Sequence, residues 1–230
     1  MNFSTHHQEN AQREAIVSFG HSLFSRGLTA GSSGNLSVRL ADGWLVTPTN
    51  ASLGSLDPAQ LSKLSEDGSL ISGAPPSKES VLHRAVYAER PQARAIVHLH
   101  STFSAAVSCL CGLDARSCLP PLTPYFVMKV GQLPLLPYHR PGDPNLAEVI
   151  RRHARRHSCV LLANHGPVVS GNSLESAVYA AEELEETAKL FLLLGDRAVR
   201  PLDAPQIDEL RQTFGAEWPE LDDNESAGDR

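Results

Sequence analysis

Apolar residues recur along this chain at two spacings, and the switches between them mark out helices and strands. Over residues 8–26 the spacing is helical: Ile16, Phe19, Leu23 and Phe24 fall on one stripe, and Gly27 supplies a C-terminal stop. Alternation then takes over. Leu36-Ser37-Val38-Arg39-Leu40 and Trp44-Leu45-Val46-Thr47 read as two strands joined by an Asp42-Gly43 turn. Helical spacing returns near 78–90 through Val81, Leu82, Ala85 and Val86, and stops before Pro91. Residues 95–100, Ala-Ile-Val-His-Leu-His, form a short apolar strand, followed by a small-residue helix near 101–111. Pro120, Pro121 and Pro124 predict a long loop, and 133–136 a strand. Asp143-Pro144 supplies an N-cap and a first-position proline for a helix through about residue 157. Short strands at 159–163 and 167–170 flank His165. A last long helix, from about 173 to 194, turns Leu174, Ala177, Val178, Ala181, Leu184, Ala188 and Phe191 inward.

Hairpins interspersed with helices predict an α/β domain of three layers, α/β/α, around a mainly antiparallel, mixed central sheet. Residues 1–200 are expected to form one domain. Residues 201–230 follow as an extension, partly mobile, ending in the acidic run Asp222-Asp223-Asn224-Glu225-Ser226. The length of 230 residues suits one large domain or two small ones. A net charge of -6 argues against general nucleic-acid binding. No run reaches the span of a membrane helix, and residues 1–7 lack the apolar core of a signal peptide, so a cytoplasmic location without membrane contact is expected. Cys109 and Cys111 are separated by one residue, where a zinc-ribbon knuckle needs two. With Cys118 and Cys159 they read as reduced, mostly buried thiols.

The chemistry starts at His98 and His100. Strand positions i and i+2 share a face, so both imidazoles leave the backbone together. A third histidine stands in Asn164-His165-Gly166. Three protein ligands with one open position describe a catalytic zinc site; the same residues also read as two polar groups on a wet strand face and an unrelated histidine. Three turns suit an anion: Gly34-Asn35, Thr47-Pro48-Thr49-Asn50 and Ser77-Lys78, the last opening a helix whose N-terminal N–H groups favour phosphate. Each alone reads more readily as a plain turn or cap. Glu79, in the first turn of that helix, either complements its dipole or serves as a general acid/base beside a metal; Tyr125 either packs or donates a proton.

In order, Gly-Asn at 34–35, Thr-Pro-Thr at 47–49, Pro-Ser-Lys-Glu at 76–79, His-Leu-His at 98–100 and Asn-His-Gly at 164–166 resemble the class II aldolase/adducin family over about residues 10–195. The resemblance implies that His98, His100 and His165 hold Zn²⁺, one per subunit, with Mn²⁺, Fe²⁺ or Co²⁺ as other candidates, and that Glu79 also approaches the metal. It implies Glu79 and Tyr125 as catalytic groups, Tyr125 reaching a neighbouring subunit's site in a homotetramer with interface active sites. It assigns Gly34, Asn35, Thr49, Asn50, Ser77 and Lys78 to the substrate phosphate. The family's aldolases carry Ser-Ser before their Glu and Gly after Thr-Pro-Thr, where this chain has Ser77-Lys78 and Asn50. The extra cation suits a sugar acid, and Lys129 and Arg140 are further candidates for its carboxylate. The implied reaction is metal-dependent decarboxylation of a phosphorylated 3-oxo sugar acid to dihydroxyacetone phosphate and CO₂ through an enediolate. Retro-aldol cleavage of a ketose 1-phosphate is the alternative; an epimerase, a dehydratase and a non-catalytic adducin-like scaffold are weaker ones.

Overall fold

The structure, a computed structural model, describes residues 3–140 and 142–219. Its strands are β1 (Asn35–Leu40), β2 (Gly43–Val46), β3 (Ser62–Leu64), β4 (Leu70–Ser72), β5 (Ala95–His98), β6 (Leu135–Leu136), β7 (Cys159–Leu162) and β8 (Pro167–Gly171). They form one sheet in the order β4-β3-β2-β1-β5-β8-β7-β6. Its neighbours are antiparallel except for the parallel pair β6 and β7. The helices are α1 (Phe3–Ser25), α2 (Ser80–Glu89), α3 (Thr102–Ser108), α4 (Pro124–Lys129), α5 (Pro144–Ala154), α6 (Leu174–Leu194) and α7 (Ala204–Phe214). Among the described residues no helix is long and apolar enough to cross a membrane.

Alternation along the strands splits the core in two, as the three-layer expectation requires. Ile16 and Leu23 of α1, Val107 of α3 and the inner residues of α6 pack with Leu36, Val38, Val97 and Val169 on one face. Leu82 and Val86 of α2 pack with Val149 and Ile150 of α5, Ile96, Val160 and Val168 on the other. Even-numbered residues of β5 and odd-numbered residues of β1 therefore turn towards α2. Asn35 lies opposite His98 in the β1–β5 register.

Several expectations change. Ala41-Asp42 form the hairpin turn and Gly43 opens β2, since Leu40 pairs with Gly43. The expected long loop contains α4, because Thr123 caps the helix by accepting from the Phe126 N–H and Pro124 needs no N–H in the first turn. β3 and β4 were unforeseen: three residues each, too short for a readable period, and β4 is exposed throughout. Phe24 is 38% exposed rather than core. In the extension, Asp203 and Gln206 form a capping box for α7. Ile207 and Ala216 pack on Val127 of α4, with Leu202, Leu210 and Trp218 around them. The expected mobile run at 222–226 lies outside the described residues.

Candidate metal centre and active site

β5 ends at His98, so His100 stands two residues beyond it and not within the strand, as the alternation argument had placed it. What holds both imidazoles together is the packing of neighbouring backbone. A Cβ on Gly166 would meet the Leu99 carbonyl oxygen at 2.2 Å, so only glycine lets the β7–β8 connection lie across the 98–100 segment. Gly34, at φ +79°, packs against the other side: a Cβ there would sit 3.0 Å from the His98 carbonyl oxygen. Asn164 takes φ 54° to turn the chain, and its N–H and that of His165 donate to the Ser108 carbonyl (3.0 Å) and hydroxyl (3.1 Å) at the end of α3. The start of α3, just after His100, is fixed by buried Glu185 of α6. Its carboxylate accepts from the Phe103 N–H (2.8 Å), the Ser104 N–H (2.8 Å) and the Ser104 hydroxyl (2.6 Å).

The result is a convergence of four donors. His100 Nε2 lies 3.1 Å from His98 Nε2 and 2.9 Å from His165 Nε2. Glu79 places Oε2 3.3 Å from His98 Nε2 and Oε1 3.3 Å from His165 Nε2. Donor atoms of all four residues lie within 4.8 Å of one another. Bonds of about 2.0–2.1 Å to a tetrahedral divalent cation put its ligands about 3.3 Å apart, so these spacings fit one. The tautomer fits as well. His98 Nδ1 is 2.8 Å from the Pro167 carbonyl, which can only accept, so Nδ1 carries the proton and Nε2 offers a lone pair to the centre. A cation between these nitrogens would meet the lone pairs that neutral imidazoles can turn towards it.

Glu79 is the N-cap of α2, one position before the helical turn expected for it, yet its side chain makes no capping bond. It turns to the histidines, and Asn35 Nδ2 donates to its Oε2 at 2.8 Å. Burial would raise the Glu79 carboxyl, but the neighbouring His165 and His98 imidazoles and the Asn35 amide outweigh it and hold the group well below the usual carboxylate range. Burial, then the neighbouring His98 and His165, pushes His100 down to about 4, so it is neutral and free to ligate near neutrality.

The three anion turns meet beside Glu79. Backbone bonds run from Thr49 N to Pro75 O (3.0 Å) and from Ser77 N to Thr47 O (3.2 Å), lacing the 47–50 turn to the entry of α2. The Leu36 N–H donates to Thr47 Oγ1 at 3.2 Å and ties in the Gly34-Asn35 turn. Asn50 takes φ 57°, the left-handed conformation in which glycine is at ease. Lys78 is exposed beside Ser77, whose hydroxyl accepts from the Glu79 N–H. The Asn35 amide is engaged by Glu79 and, through Oδ1, by His83, so it acts on the carboxylate in addition to any role towards phosphate.

Tyr125 is not joined to this cluster within the chain. It sits on α4, 60% exposed, with the Lys129 ammonium 5.7 Å from its ring centroid and 5.6 Å from that of Tyr179. Arg140 is exposed too. Cys118 and Cys159 are buried, and burial pushes both thiols up to about 12. Cys109 and Cys111 are exposed, against the expectation of mostly buried thiols, because α3 ends at Ser108 and leaves them in the turn that follows. His83, Ser37, Ser108 and Glu185 escaped the sequence reading. The signals of the first two, a histidine one helical turn after Glu79 and a serine two strand residues after Asn35, are recognisable only once α2 is laid on β1.

The chain matches the family described as Class II Aldolase and Adducin N-terminal domain over residues 14–192. It is 52% identical over 204 residues to the 3-oxo-tetronate 4-phosphate decarboxylase of Escherichia coli (strain K12), covering 88% of this chain and 96% of that protein. To the 3-oxo-tetronate 4-phosphate decarboxylase of Cupriavidus necator it is 49% identical over 216 residues, 91% of this chain and 99% of that one. The crystal structure of YgbL from Klebsiella pneumoniae superposes with a TM-score of 0.86 at 52% identity, covering 88% of this chain and 99% of that chain.

Proposed function

This chain belongs to the class II aldolase and adducin family, and from that premise we propose that it is a carbon–carbon lyase, a metal-dependent decarboxylase converting 3-oxo-tetronate 4-phosphate to dihydroxyacetone phosphate and CO₂. The observation that carries the reading is the convergence of His98, His100, His165 and Glu79 beside three laced turns. The substrate class comes from the relatives of about half-identical sequence.

The three imidazoles and Glu79 would hold a divalent cation. Zn²⁺ suits this donor set, and Mn²⁺, Fe²⁺ and Co²⁺ accept similar ones. When bound it supplies Lewis-acid polarisation of the substrate's ketone oxygen. The chain's own residues do the rest. The N–H groups of Gly34 and Asn50, with the hydroxyls of Thr49 and Ser77, receive the phosphate, and Lys78 adds a charge suited to a substrate with two anionic ends. The bond between the carboxylate carbon and C2 breaks, CO₂ departs, and its electron pair remains on C2, delocalised towards the C3 oxygen. One proton then returns to C2. Glu79, at the centre of the site, or Tyr125 of a neighbouring subunit delivers it. The exposure of Tyr125 supports the latter role in a homotetramer with sites at subunit interfaces. We place the protein in the cytoplasm and assign the catalytic unit to residues 1–200, with residues 201–230 as an extension whose α7 lies against α4.

Retro-aldol cleavage of a ketose 1-phosphate is the competing chemistry on the same donors, and Asn50, by keeping the backbone that glycine would take, leaves room for it. Product analysis separates the two. The metal-loaded protein is expected to release equal amounts of CO₂ and dihydroxyacetone phosphate from 3-oxo-tetronate 4-phosphate. Aldehyde from a ketose 1-phosphate, with no CO₂ from the oxo acid, would overturn the assignment. Glu79→Gln should lower turnover about 10²–10⁴-fold, as removal of a general acid/base does.

A further inference from the structure

Behind Asn35 runs a line of buried polar groups that the reaction as described does not use. Asn35 Oδ1 lies 2.5 Å from His83 Nε2. His83 Nδ1 lies 2.6 Å from the Ser37 hydroxyl, which is 2.9 Å from the Tyr87 hydroxyl. His83 and Ser37 are wholly buried and Tyr87 is 6% exposed. Two periodicities create the line. On β1, residues 35 and 37 point to one face; on α2, Glu79, His83 and Tyr87 follow at one-turn intervals. A strand row is laid on a helix row.

The polarity of the line admits one arrangement. A carboxylate only accepts, so Asn35 presents its NH₂ to Glu79 and its oxygen to His83. His83 Nε2 must therefore carry a proton. Burial, then the neighbouring His98, pushes His83 down to about 3, so its ring is neutral and Nδ1 offers a lone pair. The Ser37 hydroxyl donates to that lone pair and accepts from the Tyr87 O–H. Without such backing the Asn35 oxygen would have no donor to hold it, and the amide would be free to swing its NH₂ away from Glu79.

We propose that His83 is a positioning residue: its Nε2–H, backed by Ser37 and Tyr87, locks the Asn35 amide so that Nδ2 holds Glu79 towards the three histidines. This rests on the reading of Glu79 as ligand and acid/base.

Three variants and one spectrum test it. His83→Leu fills the space and donates nothing; kcat and Zn²⁺ affinity should each fall about 10- to 100-fold, the usual loss for an outer-shell partner, with KM nearly unchanged. His83→Gln keeps an N–H donor and should recover most of both. Glu79→Gln tests the underlying reading separately: if it turns over normally, Glu79 is not the acid/base, and Zn²⁺ affinity still decides whether His83 positions it. In the wild-type protein, ¹⁵N shifts should show a neutral His83 protonated at Nε2 from pH 7 to pH 5, a readout independent of whether His83→Leu folds. Wild-type kcat and Zn²⁺ affinity in His83→Leu, equal losses in both His83 variants, or a ring protonated at Nδ1 would each overturn the proposal.

Discussion

Asn50 stands where the family's aldolases carry glycine, and its φ of 57° accounts for the exchange, because asparagine is among the few side-chain residues that visit this conformation readily. Asn50→Gly should leave the melting temperature nearly unchanged, whereas Asn50→Val should lower stability by about 1–2 kcal/mol in denaturant unfolding. Equal stabilities would contradict the backbone argument. At this scale the site was legible wherever a residue type has chemistry of its own. Histidines two apart, a third before glycine and a glutamate at a helix entry announce themselves. His83 does not, since it sits among Leu82, Ala85 and Val86 on a stripe that reads as packing, and its role depends on the strand it faces. Tyr125 remains a surface residue of the single chain, and its part in catalysis belongs to the proposed neighbour contact.

The elements that carry the site were mostly readable because hairpins and amphipathic helices are local. β1, β2, β5, β7, β8 and α6 fall within a residue or two of the expected bounds. What local pattern could not show is how elements brace one another. Glu185, on a long apolar helix, reads as a surface charge, yet it is buried and holds the first turn of α3 immediately after His100. Glu185→Ala leaves two N–H groups and a hydroxyl without their acceptor, each worth about 1–3 kcal/mol when buried. A lower melting temperature and weaker Zn²⁺ binding are expected together, by thermal unfolding and chelator competition. A fall in stability with unchanged metal affinity would mean that α3 does not position His100.

Across the whole molecule, the sheet divides labour between its faces. The side under α1, α3 and α6 is apolar packing, whereas the side under α2 carries Asn35, Ser37, His83 and His98 in line. The layer order followed from the succession of hairpins and helices; the seating of α7 on α4 did not, because it depends on Val127 and Trp218 meeting residues far along the chain. Buried histidines give the fold an acid limit. Burial pushes His83 to about 3 and His157 to about 4, while an unfolded chain takes up those protons near pH 6.5. Protonation therefore favours the unfolded state as pH falls below about 6.5, and the loss of stability continues down towards pH 4. Melting temperatures of the metal-free protein should decline from pH 7.5 to pH 5; a flat profile would contradict this. The central claim, that His98, His100 and His165 with Glu79 share one cation, is tested most directly by titrating Co²⁺ into the metal-free protein and following its visible absorption. One equivalent per chain should saturate a tetrahedral signal that His165→Ala abolishes. Absence of saturation at one equivalent, or an unaltered signal in that variant, would contradict it.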